Sequence, residues 1–112
     1  MKQIDREHRK RVRLSSLIIA IQSKNGVSFE ELSLLNGYFR CANYVARNPV
    51  YKRQFDECTR ILESVVASKR EKYTLYGRYY NKLVSGTYVM CDLLDVISDS
   101  EFRLAATNLH VN

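Results

Sequence analysis

The segment SFEELSLLNGYFRCANYVARNP, residues 28–49, carries a start signal, a stop signal and an apolar pattern of helical period. Ser28 followed three residues later by Glu31 is a capping box, in which each side chain satisfies a backbone N–H at the helix start. Leu32, Leu35, Phe39, Ala42 and Ala46 then recur at i, i+3, i+7, i+10 and i+14. Leu34, Tyr38, Cys41 and Val45 run beside them, leaving only Ser33, Asn36, Arg40, Asn43 and Arg47 as a narrow polar strip. A helix so nearly apolar all round belongs in the middle of a bundle. Asn48-Pro49 closes it and opens the next, with Asn48 as N-cap and Pro49 at the first helical position.

Helices extend on both sides. Leu14, Leu17, Ile18 and Ile21 form an i, i+3, i+4, i+7 stripe, the expected core face of a first helix over about 4–24 that stops at Asn25-Gly26. Tyr51, Phe55, Cys58, Leu62 and Val65 give the third helix its apolar seam. Lys52/Asp56, Arg53/Glu57 and Asp56/Arg60 are candidate i, i+4 ion pairs on its outer face. Residues 66–72 contain no breaker, so the end of that helix is open. Tyr73, Tyr76, Tyr80, Leu83, Thr87, Met90, Leu94 and Ile97 keep one helical phase through Gly77 and Gly86. That phase predicts a single long helix over 70–97, bent at Ser85-Gly86. Ser98 with Glu101 is a second capping box, opening a last helix with Phe102, Ala105, Ala106 and Leu109 on one side. The expected architecture is all-α: one domain, 1–112, a bundle of four main helices plus a short C-terminal helix.

Part of the central segment has a second reading. Phe29-Glu-Glu-Leu-Ser-Leu-Leu-Asn-Gly37 resembles the first helix and turn of the helix-turn-helix DNA-binding family, with Ser33 as the small residue four before the turn glycine. The resemblance covers about twenty residues and implies a recognition helix after Gly37. The chain departs from the pattern at Asn43, where that family places an aliphatic packing residue, and its apolar phase continues through Gly37 unbroken. A helix-turn-helix and one continuous helix both remain open.

Bulk composition limits the function classes. The 112 residues are 46% hydrophobic and 27% charged, globular values, and the net charge is +6. Three cysteines at wide spacing, Cys41, Cys58 and Cys91, offer neither a disulfide framework nor a metal knuckle and read as reduced thiols of a cytoplasmic protein. Asp5 and Glu7 interrupt the basic start that an export signal requires, and no apolar run reaches membrane-spanning length. A soluble protein with no membrane association is expected.

The positive charge is concentrated. Residues 1–26 hold seven Lys/Arg against two acids and residues 67–87 hold five against one, whereas 27–66 are balanced at five and five and 88–112 sum to −3. Charge gathered in this way suggests an anionic partner. Arg6, Arg9, Lys10, Arg11 and Arg13 form the first candidate contact surface, suited to backbone phosphates of DNA or RNA. Their position at a helix N-terminus opposes the macrodipole, which a sequence built for stability alone would avoid. Lys69, Arg70, Lys72, Arg78 and Lys82 form the second. Tyr73, Tyr76 and Tyr80 read as core residues of the heptad phase, and Tyr79, off that phase, as a candidate stacking residue.

Catalysis has little support. His8 and His110 lie near the termini, no phosphate-cradling glycine loop is present, and Cys41 and Cys58 fall on apolar stripes. Asp92, Asp95 and Asp99, at i, i+3 and i+7, read as a solvated face offsetting the basic charge more readily than as ligands of a hard cation. No cofactor or metal is expected. The leading expectation is a non-enzymatic nucleic-acid-binding regulatory or accessory factor whose two cationic stretches meet on one surface. The alternatives are an adaptor or inhibitor docking on an acidic protein partner, itself able to act on nucleic acid, and a homodimeric bundle.

Overall fold

The computed structural model describes residues 2–111, with side chains for 6–105. Five helices follow one another: α1 (Lys2–Gln22), α2 (Phe29–Val45), α3 (Pro49–Val66), α4 (Gly77–Val96) and α5 (Asp99–Val111). They form the expected bundle of four main helices with a shorter fifth. Ala106 and Leu109, expected on the inner side of α5, lie outside the described side chains, as does His110.

The helix boundaries written into local chemistry are where they were expected. The Ser28 hydroxyl accepts from the Glu31 N–H at 3.1 Å, and the Ser28 N–H donates to the Glu31 carboxylate at 3.0 Å. Ser98 and Glu101 repeat the arrangement at 3.2 and 3.1 Å. Asn48 caps α3 by accepting from the Val50 N–H at 2.8 Å. Helix α2 runs unbroken through Gly37, so the helix-turn-helix reading is excluded; Asn43, the residue that departed from that pattern, donates instead to Asp56 on α3. Helix α2 packs against the other four, and Leu32, Leu35, Phe39 and Ala42 along it are buried.

Two expectations fail. The fourth helix was read over 70–97, but it begins at Gly77. Residues 67–76 form an irregular connection in which Tyr73 and Val27 exchange backbone hydrogen bonds at 2.8 and 2.9 Å, an isolated antiparallel bridge. Tyr73 is buried and its hydroxyl accepts from the Arg70 N–H at 3.0 Å, which fixes the loop from inside. Gly77 has φ +58°, a left-handed conformation a right-handed helix cannot pass through. Of the three tyrosines expected in the core, Tyr73 is buried and Tyr80 partly so. Tyr76 stands outside the helix, 73% exposed.

The second failure concerns the face α1 presents. Leu14, Ile18 and Ile21, expected in the core, are 63%, 54% and 44% exposed, whereas Val12, Ser16, Ile19, Ala20 and Ser23 are buried. Small residues let α1 approach the bundle closely. The two serines are satisfied within their own helix: Ser16 donates to the Arg13 carbonyl at 2.9 Å and Ser23 to the Ala20 carbonyl at 2.6 Å. Helix α1 lies antiparallel to α4, since Arg9 reaches Leu94 and Ile97, Ser16 meets Cys91, and Lys24 lies over Tyr80.

Helix α4 continues through Gly86, where it packs closely against α3. A Cβ there would collide with the Cys58 sulfur, while the Phe39 ring would lie at ordinary contact distance. Alanine gains about 1 kcal/mol in helix propensity, but overpacking of this kind costs about 1–3 kcal/mol. Gly86→Ala is therefore expected to lower stability in urea denaturation by up to about 2 kcal/mol. Adding Cys58→Ala, which removes the obstructing sulfur, should recover most of the loss relative to Cys58→Ala alone.

Candidate functional site

The bundle treats its two cationic stretches differently. On α1, Arg9 donates to the Leu94 and Ile97 carbonyls at 2.8 and 2.9 Å and to the Asp99 carboxylate at 2.7 Å, with its guanidinium 5.1 Å from the Phe102 ring centroid. Arg13 pairs with Asp95 at 3.0 Å. The acidic segment that follows residue 88 thus neutralises part of the basic N-terminal block, and Asp95 and Asp99 of the acidic row serve as arginine partners. Arg6 and Lys10 border the same shallow cleft as these pairs, and Arg11 points to solvent. Among the described residues no three His, Cys, Asp or Glu side chains gather as a metal ion would require.

The second stretch lies at the other end of the α1–α4 pair. Residues 9 and 24 mark the two ends and are separated by about 22 Å of helix at 1.5 Å per residue. The expectation that both stretches share one surface is therefore not met. Lys69, Arg70 and Lys72 are exposed on the loop before α4. Arg78, Tyr79 and Lys82 occupy the first turns of α4, where they face α3 across a groove.

Sequence reasoning missed two residues of that groove. Arg53 and Arg60 project from α3 on one stripe with Glu57, at i, i+4 and i+7, and were assigned to intrahelical ion pairs. Instead Glu57 pairs across the groove with Lys82, while Lys52 donates to the Asn43 carbonyl of α2 at 2.9 Å. The i, i+7 repeat of arginines flanking the apolar seam was the available signal. The groove comprises two adjoining hollows of about 620 and 460 Å³ that share Glu57, Arg78 and Lys82. It follows α3 from Val50 to Val65, roughly 20 Å of helix. Tyr79, 55% exposed, borders it. The first turn of α4 opens at this groove, and Tyr76, its N-cap residue, makes no side-chain capping bond.

The chemistry of this groove is electrostatic. Arg53, Arg60, Arg78 and Lys82 present four cations against one carboxylate. Glu57 is held ionised below the usual carboxylate range, mainly by its hydrogen bond with Lys82. Cys58 lies at the floor with its sulfur toward the Lys82 carbonyl, and burial pushes its thiol up to about 12. At pH 8 such a thiol is roughly one part in ten thousand thiolate, so it offers no nucleophile. Burial also raises the thiols of Cys41 and Cys91. In a timed thiol-reagent assay at pH 8 the native protein is expected to react first at half-buried Cys41. Cys58 should become reactive only when denaturant opens the bundle.

No protein-family model, curated protein or solved structure matches the chain.

Proposed function

We propose that the protein is a non-enzymatic binder of single-stranded nucleic acid, acting as a regulatory or accessory factor in the cytoplasm, with the α3–α4 groove as its site. The observation that carries this reading is the convergence of Arg53, Arg60, Arg78 and Lys82 on one elongated groove with Tyr79 at its edge. A positive channel that tracks a phosphate backbone, beside an aromatic face that stacks on unpaired bases, is the arrangement single strands require. Arg53 and Arg60 stand seven residues apart, about 10 Å along α3, far enough to contact different phosphates. Lys69, Arg70 and Lys72, exposed on the loop that joins α3 to α4, line neither hollow and add positive charge only at that end of the bundle, whereas Arg9 and Arg13 are committed to the fold. Three free thiols fit a reducing compartment.

The test is equilibrium binding of labelled single- and double-stranded DNA and RNA between 50 and 300 mM salt. Single strands are expected to bind more tightly than duplexes and more tightly than about 10⁻⁴ M, the weak end of non-specific association. Their affinity should fall linearly with log salt. Weaker binding at every salt concentration, or affinity indifferent to salt, would remove the reading.

A further inference from the structure

We infer that the outward face of α1 is a docking surface for an acidic amphipathic helix of a protein partner. Leu14, Ile18 and Ile21 stand at i, i+4 and i+7 on one exposed stripe, with Leu17 half-buried at its margin. Tyr88 of α4, 52% exposed, stands at the same height along the α1–α4 pair, between the level where Ser16 meets Cys91 and the level where Lys24 meets Tyr80. The stripe is not a remnant of core packing. The inward face of α1 is complete without it, built from Val12, Ser16, Ile19, Ala20 and Ser23. A helix serving only its own bundle would turn its large aliphatic side chains inward and its serines outward. Here Val12 and Ile19 do face inward, but Ser16 and Ser23 are buried while Leu14, Ile18 and Ile21 face outward, and an exposed apolar patch bordered by charge marks an interaction surface.

Charge identifies the occupant. Arg6, Lys10 and Arg11 lie along the N-terminal half of the helix and Lys24 just beyond its end, all exposed, while Glu7 is the one acid of α1 among residues with described side chains. A second copy would bring the same cations against themselves, in a chain already at +6. An incoming helix with its own apolar seam flanked by Asp and Glu would cover the stripe and pair the cations, the geometry of helix-to-helix recognition through i, i+4, i+7 anchors. This surface shares no residue with the α3–α4 groove, so the two readings stand or fall separately.

The experiment places a benzophenone side chain at position 18 of the full chain, irradiates it in lysate of the cells that produce the protein, and sequences the linked segments. The expected result is one dominant adduct with a protein whose linked segment is an Asp/Glu-flanked amphipathic helix. Excess wild-type chain should suppress that adduct, and Ile18→Glu should compete at least tenfold less well while melting like wild type. Groove variants of Arg53 and Arg60 should compete as wild type does. A link to a second copy of the chain, a link to lipid, scattered adducts, a basic or neutral linked segment, or no adduct would each overturn the inference.

Discussion

Arg9→Met is expected to destabilise the protein by about 3 kcal/mol, a fall in Tm on the order of 10 °C, and to leave single-strand binding at low temperature unchanged. The guanidinium does three things at one junction. It donates to the Leu94 and Ile97 carbonyls at the C-terminal end of α4, which have no intrahelical donor at that end. It holds Asp99 at the start of α5 and covers the Phe102 ring. A hydrogen bond to a charged group contributes about 1.5–3 kcal/mol in mutational series, and such contributions do not add in full here because Asp99 is half-exposed and water screens its share. A cation at a helix C-terminus adds a smaller favourable interaction with the dipole. The side chain is only 15% exposed, so water cannot replace all three partners. Methionine keeps the apolar stem and removes the charge. Lys10→Met and Arg11→Met, on the solvent side of the same helix, should stay within about 0.5 kcal/mol of wild type. Thermal melts of the three variants decide the matter: an unchanged Tm for Arg9→Met would mean that the junction does not depend on it.

That contrast shows what the sequence disclosed and what it withheld. Start signals were legible because each is settled within four residues: Ser28 with Glu31, Asn48 with Pro49, Ser98 with Glu101. The central position of α2 was legible from how little polar surface it retains. The beginning of α4 was not, because Tyr73 is taken out of helical phase by a partner 46 residues earlier, Val27, and no pattern local to 66–77 records that pairing. The inner face of α1 was misread for a related reason. Periodicity reports that one side of a helix is apolar, but it cannot report that small residues on another side fit a neighbouring helix better. Segment charges were correct as sums, +5 at the start and −3 at the end. What they lacked was adjacency: Arg9 and Asp99 are 90 residues apart in the chain and 2.7 Å apart in space. The same gap hid the groove, since Arg53 and Arg60 gain their significance only from Arg78 and Lys82 across it.

Arg53→Glu combined with Arg60→Glu is expected to weaken single-strand binding on the order of 100-fold at 0.1 M salt. Each phosphate contact on a single strand contributes a slope of about −0.7 in log affinity against log salt, equivalent to roughly fivefold at 0.1 M. Losing two contacts therefore accounts for roughly 25-fold, and the two introduced carboxylates supply the remainder by repulsion. The slope itself should become shallower by about 1.4. Tyr79→Ala should act differently, weakening binding by roughly 5- to 150-fold, the worth of one stacked base, with the slope unchanged. Glu57→Gln should move the other way: it releases Lys82 from its internal partner, and one additional phosphate contact strengthens binding about fivefold at 0.1 M salt. Lys10→Glu with Arg11→Glu is the control, with an expected loss of less than about threefold, because those residues lie at the far end of the α1–α4 pair. The pattern discriminates as a whole. If the α1 control loses more affinity than the groove variant, the contact surface is the N-terminal block, and the α3–α4 groove is a hollow without a strand to hold.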